Sequence, residues 1–425
     1  MCGEKDGGIG WDFFEEIDEN CPFSLERLHD MLVVDNLVIN VDGWSKMLKR
    51  QLEALNGHVD ASTKTAGGGK NYFHRTLRSV KARWISRYHS GMSAPSEAIP
   101  TLERTPRPGK SIVVQDLKCF GPGSSSVPMD IWNAKKYCKS LARRHYENFS
   151  ITSLLVPAAI RQDFYNIYAY CRWSDDLADE IGNTTDSLLL LDWWRTELRA
   201  CFLGNATHPV FVALNETISK HALSIDNFEN LLDAFVQDQT VVRYASQLQV
   251  IEYCRGSANP VGRILLQLAS VEDANALTLS DRICTGLQIA NFCQDIREDA
   301  VNGRVYLPKD LWQRFQVTEP EILAGQSTGN LRYALKVWVD LARTCLVSGL
   351  PLVKITPRWL ARDIQLFTRG GLTILNNIAR SDYNVWDQPI QVSKKQKLSL
   401  LVRAILFPRS IHVTQLVCPQ GSKSV

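Results

Sequence analysis

From about residue 129 onward, apolar residues recur every three or four positions over long stretches, and few segments alternate as strands do. A period of about 3.6 residues is typical of helices with one buried face. The predicted helices cover 131–146, 158–181, 187–203, 208–222, 226–238, 246–271, 279–300, 330–347 and 357–380. Turn residues such as Gly182-Asn183 and Gly204-Asn205 separate them. We therefore predict an all-α fold.

The first 125 residues follow a different pattern. They contain clusters of glycine, serine and proline at 67–69, 105–109 and 121–126. We predict an irregular extension over 1–125, a helical domain over 126–410 and a tail over 411–425. Apolar and basic residues at helical spacing predict a short basic amphipathic helix near 72–89. This helix is either an ordinary or poorly ordered surface segment, or a membrane-attachment or organelle-targeting element.

Composition narrows the class of protein. The 425 residues are 45% apolar, enough for a sizeable core, and the net charge of +3 comes without a basic, aromatic-rich stripe for nucleic acid. Eleven cysteines without a Cys-x-x-Cys pair indicate reduced thiols and favour an intracellular compartment. No run approaches the roughly 18 apolar residues of a membrane span. Any membrane contact is therefore expected to be peripheral, in the cytoplasm or in an organelle.

Two acidic patterns lie about a hundred residues apart in predicted helices. They read Asp175-Asp176-x-x-Asp179-Glu180 and Asn291-x-x-x-Asp295-x-x-x-Asp299. Because residues four positions apart share a helix face, each pattern projects a row of oxygens in one direction. Mg²⁺ prefers such hard oxygens, with water and phosphate oxygens completing its coordination. Together the patterns predict a magnesium-bound diphosphate, although the first alone fits a solvated, salt-bridged helix face equally well.

Each acidic pattern continues into a longer polar stripe. Tyr168 and Arg172 extend the first stripe, and Gln288 extends the second. Apolar neighbours flank both stripes, so part of each is expected to face the interior, where charges need a partner or a ligand. Two such stripes on separate helices are able to face one another across a bundle core. Arg172, Arg304 and Lys309 are expected phosphate contacts, and the absence of a P-loop pattern disfavours nucleotide hydrolysis.

The order of the motifs over about residues 130–405 resembles the squalene/phytoene synthases, which join prenyl diphosphates head to head. Three segments of this chain resemble the family's first half-site: His145-Tyr146-Glu147-Asn148-Phe149, Ser153–Pro157, and Tyr168–Arg172 leading into the first acidic pattern. Residues 291–299, followed by Gly303–Pro308, resemble the second half-site. By spacing alone, His145 fits a hydrogen-bonded helix-end residue equally well. Both motifs in this order are highly specific to the family.

This resemblance implies an isoprenoid synthase fold, a single helical bundle whose central cavity holds one or two prenyl chains. It implies Mg²⁺ ligands at Asp175, Asp179, Asn291, Asp295 and Asp299, supported by Asp176. It places further residues along the diphosphate or cation region: His145, Tyr168, Arg172, Gln288, Asn291, Arg304 and Tyr306. Tyr253 matches a position near the reacting carbons. The implied reaction ionises an allylic or cyclopropylcarbinyl diphosphate to a carbocation.

Three local features resemble the hydroxysqualene synthase branch of hopanoid biosynthesis. They are the run 145–149, the run Tyr253–Arg263, and Gln294 where many relatives have arginine. Losing that cation beside Asp295 is expected to alter the diphosphate contacts unless Arg297 or Arg304 compensates. The polar Asn259, in a segment that is usually apolar, is expected to help place the water that ends the reaction.

Several activities remain open within this resemblance. The favoured one ionises presqualene diphosphate, or farnesyl diphosphate, and lets water capture the cation; a squalene synthase would use hydride from NADPH, and a presqualene or phytoene synthase would condense two prenyl diphosphates. A non-catalytic assembly or binding factor is disfavoured because the acidic residues remain. The expected cofactor is Mg²⁺, and a presqualene diphosphate synthase is a candidate partner. The segment 394–407 is either a final packing helix or a bilayer contact.

Overall fold

The computed structural model describes residues 112–124, 129–144 and 156–411. The helices in these ranges are α1 (Ile112–Phe120), α2 (Ile131–Arg144), α3 (Arg161–Asp179), α4 (Thr184–Phe202), α5 (Pro209–His221), α6 (Ile225–Gln237), α7 (Gln247–Ser257), α8 (Asn259–Leu268), α9 (Ala276–Val301), α10 (Lys309–Arg314), α11 (Glu319–Leu323), α12 (Gly329–Gly349), α13 (Leu352–Ile355), α14 (Arg358–Arg380) and α15 (Lys394–Leu406). A 3₁₀ turn at Ala158–Ile160 precedes α3. The described part of the chain holds no strand beyond an isolated bridge between Arg243 and Val305, which confirms the all-α prediction.

The predicted helix over 246–271 is divided into α7 and α8. The break falls at Ala258, whose φ of −115° departs from helical geometry, and Pro260 follows in the first turn of α8. Proline has no amide hydrogen and its ring clashes with the preceding turn, so a continuous helix would lose a hydrogen bond here. The periodicity of apolar residues continues across the break, which is why the pattern alone did not reveal it.

Helix α1 lies inside the stretch that the sequence assigned to the extension. Its Val113 and Leu117 are buried, and the Tyr137 hydroxyl on α2 donates a 2.7 Å hydrogen bond to Asp116. The bundle therefore includes residues from 112 onward. The predicted amphipathic helix at 72–89 lies outside the described residues, as does all of the tail except Ile411.

Two large apolar cores divide the bundle. The first core joins α1 to α6, with Trp173 and Trp194 stacked at 5.1 Å between ring centroids. The second core is built around α9, α12 and α14. A smaller third cluster contains Phe164, Tyr165 and Tyr168 of α3 with Leu268 of α8, and Trp359 of α14 packs against it. Helix α3 thus belongs to one side of the bundle and α9 to the other.

Glycines allow α9 to lie close to its neighbours. A Cβ atom on Gly286 would lie 3.0 Å from the Ala342 carbonyl oxygen of α12, and one on Gly371 would lie 2.9 Å from a methyl group of Leu287. These contacts fix the rotation of α9 about its own axis. They consequently decide which of its side chains face α12 and α14 and which face the rest of the bundle.

No helix within the described ranges is long and apolar enough to cross a membrane.

Candidate functional site

The first acidic pattern lies at the carboxyl end of α3, and most of it is buried. Tyr168, Arg172, Asp175 and Asp176 are each at most 4% exposed. The Arg172 guanidinium lies 3.3 Å from Asp175 and forms a second ion pair with Asp176. A solvated helix face is therefore the wrong interpretation of this pattern. The stripe instead brings charged groups into the interior, where they require partners.

Electrostatics fix the protonation states of Arg172 and Tyr168 in this stripe. Burial lowers the pKa of the Arg172 guanidinium, but the carboxylates of Asp176 and Asp175 outweigh burial and hold that pKa above its usual value. Burial raises the pKa of the Tyr168 hydroxyl, which therefore stays protonated at neutral pH. The stripe consequently combines a permanent cation, a neutral hydrogen-bond donor and carboxylates.

The second acidic pattern occupies one face of α9. Gln288, Asn291 and Asp299 are at most 4% exposed, and Asp295 is half-buried. The flanking faces of α9 are taken up by neighbours, since Leu287 meets α14 and Phe292 contacts Tyr253 of α7. The polar row lies between these two contacts. It therefore faces the space bounded by α7, α8 and α14.

A tight turn at the end of α9 links the two acidic patterns. Gly303 has a φ of +70°, a conformation that side chains with a Cβ rarely adopt. The chain reverses there, and the Arg304 amide donates a 2.8 Å hydrogen bond to the Asp299 carbonyl. The Arg304 guanidinium then lies 3.9 Å from a carboxylate oxygen of Asp179 on α3. Arg304 thus touches both patterns.

A pairing with a distant segment holds this turn. The Val305 amide donates to the Val242 carbonyl at 3.0 Å, and the Lys309 amide donates to the Tyr244 carbonyl at 2.9 Å. The Arg243 guanidinium also donates to the Gly303 carbonyl. The loop between α6 and α7 therefore positions the loop after α9. Lys309 itself is exposed.

Four aromatic rings form a buried aromatic cluster beside the polar row of α9. They are Tyr244, Tyr253, Phe292 and Tyr306, each at most 4% exposed. The rings of Phe292 and Tyr306 are stacked, with centroids 4.0 Å apart, and those of Tyr253 and Tyr306 are 6.2 Å apart. The faces of such rings carry partial negative charge. The cluster therefore places aromatic rings beside the polar row of α9, because Phe292 directly follows Asn291 on that helix.

Asp238 and Gln239 belong to this region but were not found from the sequence. The Tyr253 hydroxyl donates a 2.8 Å hydrogen bond to Asp238, and both side chains are buried. The Gln239 amide donates to the Ala178 carbonyl at 3.2 Å, one residue before Asp179. The only sequence signal was a polar Asp-Gln pair directly after an amphipathic helix. That signal is too common to indicate a site without the fold.

Asn259 lies at the contact between α8 and α9. Its side-chain oxygen accepts a 3.0 Å hydrogen bond from the Thr285 hydroxyl, and the residue is 2% exposed. Close packing accompanies this bond, because a Cβ on Gly262 would lie 2.7 Å from the Cys284 sulfur. Thr285 is one turn below the polar row of α9. Asn259 therefore links two helices that border the site.

Gln294 and Arg297 point away from the acidic rows. The Gln294 amide donates to the Ile390 carbonyl at 2.9 Å, and the Arg297 guanidinium donates to the Trp386 carbonyl at 2.8 Å. The expectation that Gln294 alters the diphosphate contacts was wrong, as was the suggestion that Arg297 compensates. Successive helix residues differ by about 100° in direction, so a neighbour of Asp295 in sequence need not be its neighbour in space. Of the two arginines suggested to compensate, Arg304 is the one that lies beside an acidic row.

The donor set fits Mg²⁺ only in combination with a ligand. In the parts of the chain that the structure describes, no three histidine, cysteine or acidic side chains converge closely enough to hold a metal ion by themselves. Each row nevertheless presents carboxylate or amide oxygens, the ligand type that Mg²⁺ prefers, and Mg²⁺ commonly uses one or two carboxylates together with substrate phosphates. A diphosphate between the rows would supply the missing oxygens. His145 lies outside the described residues.

A further buried carboxyl group, Asp363, was not predicted. It lies on α14, one helical turn after Trp359, and is 3% exposed. No hydrogen bond from the described residues reaches its buried Oδ1 atom. Burial raises the pKa of this carboxyl well above its usual value, opposed by the neighbouring Arg362. The burial of the Asp363 carboxyl therefore lowers the stability of the folded protein.

Asp363→Asn is expected to increase the free energy of unfolding by about 1–3 kcal/mol near neutral pH. The neutral amide requires neither a buried negative charge nor the uptake of a proton on folding. The folded pKa exceeds that of the unfolded chain, so wild-type stability falls as the pH rises between the two values. Urea unfolding should show a larger gain at about pH 8 than at about pH 5. The control Asp281→Asn removes a 2.6 Å ion pair with Arg263. This variant should be no more stable than the wild-type protein at either pH. An equal or lower stability of Asp363→Asn at the higher pH would contradict the prediction.

Comparison with known proteins assigns this arrangement to a family. The sequence profile of squalene/phytoene synthases matches residues 142–396. The fold is similar to the crystal structure of squalene synthase HpnC from Alicyclobacillus acidocaldarius, at 40% identity and a TM-score of 0.58, over 61% of this chain and 97% of that one. Phytoene synthase of Arthrospira platensis is 28% identical, over 64% of this chain and 92% of the relative. Presqualene diphosphate synthase of Rhodopseudomonas palustris is 24% identical, over 60% and 92%. The all-α isoprenoid synthase fold is thereby confirmed, and the chain belongs to the squalene/phytoene synthase family.

Proposed function

We propose that this protein is a Mg²⁺-dependent synthase that ionises presqualene diphosphate, or farnesyl diphosphate on the way to it, and forms hydroxysqualene for triterpenoid synthesis. The observation that carries the proposal is the 3.9 Å approach of Arg304 to Asp179, which joins two acidic rows from opposite sides of the bundle. A diphosphate placed there would meet carboxylates through Mg²⁺ and guanidinium groups directly. Carboxylates alone would repel such an anion, so the cations are part of the argument.

The metal ligands proposed are Asp175, Asp179, Asn291, Asp295 and Asp299. Asp176 supports the first row through its ion pair with Arg172. Bound Mg²⁺ would supply Lewis-acid stabilisation of the departing diphosphate. Arg172 and Arg304 would bind the same oxygens and neutralise the charge that develops on them. Gln288, as a buried polar donor beside Asn291, would orient the diphosphate together with Tyr168. The same role is proposed for His145 from the sequence resemblance alone.

Ionisation leaves a carbocation that must be protected until the carbon skeleton has rearranged. The aromatic cluster offers ring faces for this purpose, and its Tyr253 is held in place by the hydrogen bond to Asp238. Exclusion of water by the apolar surroundings prevents premature capture. Tyr306 stacks on Phe292 in the middle of this cluster. The cation would therefore form between the acidic rows and the aromatic rings.

The choice of water over hydride in the last step rests on the sequence features of the hydroxysqualene branch alone, because the 40% identical structure is described as a squalene synthase. Those features favour a presqualene substrate over condensation of two longer prenyl diphosphates. The alternative is the formation of presqualene diphosphate or phytoene, which the names of the other relatives support. Hydride transfer from NADPH would give squalene instead. A non-catalytic role is the remaining alternative.

One assay separates these activities. Purified protein is incubated with Mg²⁺ and either labelled presqualene diphosphate or labelled farnesyl diphosphate, with and without NADPH. We expect an alcohol from presqualene diphosphate that is independent of NADPH. A hydrocarbon that forms only with NADPH would show that hydride, rather than water, captures the carbocation. Absence of turnover of both substrates by folded protein would contradict an enzymatic function.

Asn259 is proposed to help place the water that captures the cation. Asn259→Ala is expected to lower the ratio of alcohol to hydrocarbon or rearranged products, because its polar group borders the site at the contact with Thr285. Thr285→Val is the matched control, since it removes the same hydrogen bond but leaves the amide. If Asn259→Ala changes turnover but leaves the product ratio unaltered, Asn259 acts only in helix packing.

A further inference from the structure

Helix α15 carries a second apolar face that is exposed. Leu400, Leu401 and Ala404 pack into the second core. On the other side of the helix lies a stripe of four side chains, which we call the α15 stripe. They are Leu398, Val402, Leu406 and Phe407, exposed by 37%, 44%, 61% and 59%. Three of the four recur every fourth residue and so form one continuous surface. A packing role alone explains the first face but not the second.

Basic residues surround the α15 stripe. Lys394 and Lys395 are exposed at the start of the helix, and Arg409 is exposed just beyond its end. No aspartate or glutamate follows Asp387 in the sequence. An apolar surface bordered by lysine and arginine, without acidic residues, is the pattern of helices that lie in the interface of anionic membranes.

Helix α15 runs alongside α14 from near its end to its middle. The Arg369 guanidinium of α14 donates a 3.3 Å hydrogen bond to the carbonyl of Ser410, four residues after the end of α15. Ten positions earlier on α14, Trp359 packs against the third cluster. The opposite end of α14 leads to Trp386, which Arg297 binds from the acidic end of α9. The start of α15 lies near the end of α14, where Gln396 donates to Asn377 at 3.1 Å. Leu406 and Phe407 therefore lie farther from the acidic end of α9 than the start of α15 does.

We propose that the α15 stripe docks this protein on an anionic lipid bilayer, with Phe407 inserted among the acyl chains. Resting on the proposed function, such docking would bring the protein next to the phase into which an insoluble product must pass. A second copy of the chain is a poorer occupant, because both symmetric pairings bring like charges together. A parallel pairing would place Lys394 and Lys395 against the same residues of the other copy, and an antiparallel pairing would place them near its Arg409. Lipid phosphates complement these charges instead.

Vesicle co-sedimentation of the full chain tests the docking. Wild-type protein is expected to bind vesicles of phosphatidylglycerol and phosphatidylcholine and to bind pure phosphatidylcholine weakly. The variant Leu398→Ser/Val402→Ser/Leu406→Ser should lose about tenfold or more of its partition into the mixed vesicles, because each substitution removes inserted apolar surface. The matched control is Leu203→Ser/Leu248→Ser. Leu203, at the end of α4, is 77% exposed, and Leu248, on α7, is 66% exposed. Their substitution should leave the partition unchanged.

A charge variant and two further measurements complete the test. Lys394→Glu/Lys395→Glu should weaken binding to the mixed vesicles only. Equal binding by wild type and the stripe variant, or no binding by wild type, would overturn the proposal. So would a wild-type dimer in sedimentation velocity that the stripe variant loses, since the stripe would then contact a second copy. Turnover in detergent should be the same for wild type and the stripe variant, so failure of docking and failure of the proposed reaction are distinguishable.

Discussion

Asp295→Asn is expected to lower kcat by about a thousandfold or more, which corresponds to roughly 4 kcal/mol of lost transition-state stabilisation. Asp295 is half-buried in the middle of the polar row of α9, between Asn291 and Asp299. The amide keeps the shape of the side chain but removes the negative charge that would hold Mg²⁺. The loss should appear in kcat because the metal stabilises charge that develops only as the diphosphate departs.

A matched control separates this effect from a loss of folding. Asp281→Asn makes the same chemical change on the same helix, where the carboxylate pairs with Arg263 at 2.6 Å rather than facing the acidic rows. Steady-state turnover should fall only for Asp295→Asn, while circular dichroism and Tm should be similar for both variants. Wild-type turnover by a folded Asp295→Asn protein at limiting Mg²⁺ would exclude the metal-ligand role.

Arg304→Gln is expected to reduce kcat/KM by about a hundredfold, as appropriate for losing a charge-assisted contact of about 2.7 kcal/mol. Arg304 is 7% exposed, and its guanidinium approaches Asp179 from the end of the second row. Removal of its charge should weaken both the binding of the diphosphate and the stabilisation of the leaving group. Inhibition by inorganic pyrophosphate should weaken in parallel, which gives a readout independent of turnover.

Arg297→Gln provides the comparison, because it removes an arginine on α9 itself, near the second acidic pattern. Its guanidinium donates to the Trp386 carbonyl instead of facing the site. We expect kcat/KM to change by less than about threefold, with a small loss of stability from the missing hydrogen bond. Equal losses for the two variants would show that the structure does not distinguish their roles. A larger loss for Arg297→Gln would reverse the assignment.

Much of the fold was predictable from the sequence because helix periodicity is a local property. The predicted segments at 208–222 and 357–380 agree with α5 and α14 within one residue at each end. Both acidic rows were also predictable, since residues four positions apart necessarily share one helix face. The short helices α10, α11 and α13 were missed because fewer than seven residues cannot display a full apolar period. Pro260 marked the break before α8, yet the apolar spacing around it masked the signal.

Some residues of the candidate site were likewise predictable from local spacing, and others were not. Spacing identified the polar row of Gln288, Asn291, Asp295 and Asp299, and the structure places these residues on one face of α9. Spacing could not reveal that Gln294 and Arg297 bind carbonyl groups about 90 residues later in the chain. Asp238 likewise accepts a hydrogen bond from Tyr253, fifteen residues later on α7. Such contacts depend on how helices pack, and no local pattern records them.

The sequence by itself determined the helical class, the two rows of oxygens and the family that their motifs resemble, because each depends on residues close together along the chain. The tertiary structure decided which cation serves those rows. It rotated α9 through contacts at Gly286 and Gly371, turned Arg297 outward, and folded the chain back at Gly303 so that Arg304 meets Asp179. Helix rotation and chain reversal are set by packing between distant segments. The final assignment of charges around the proposed diphosphate therefore required the fold.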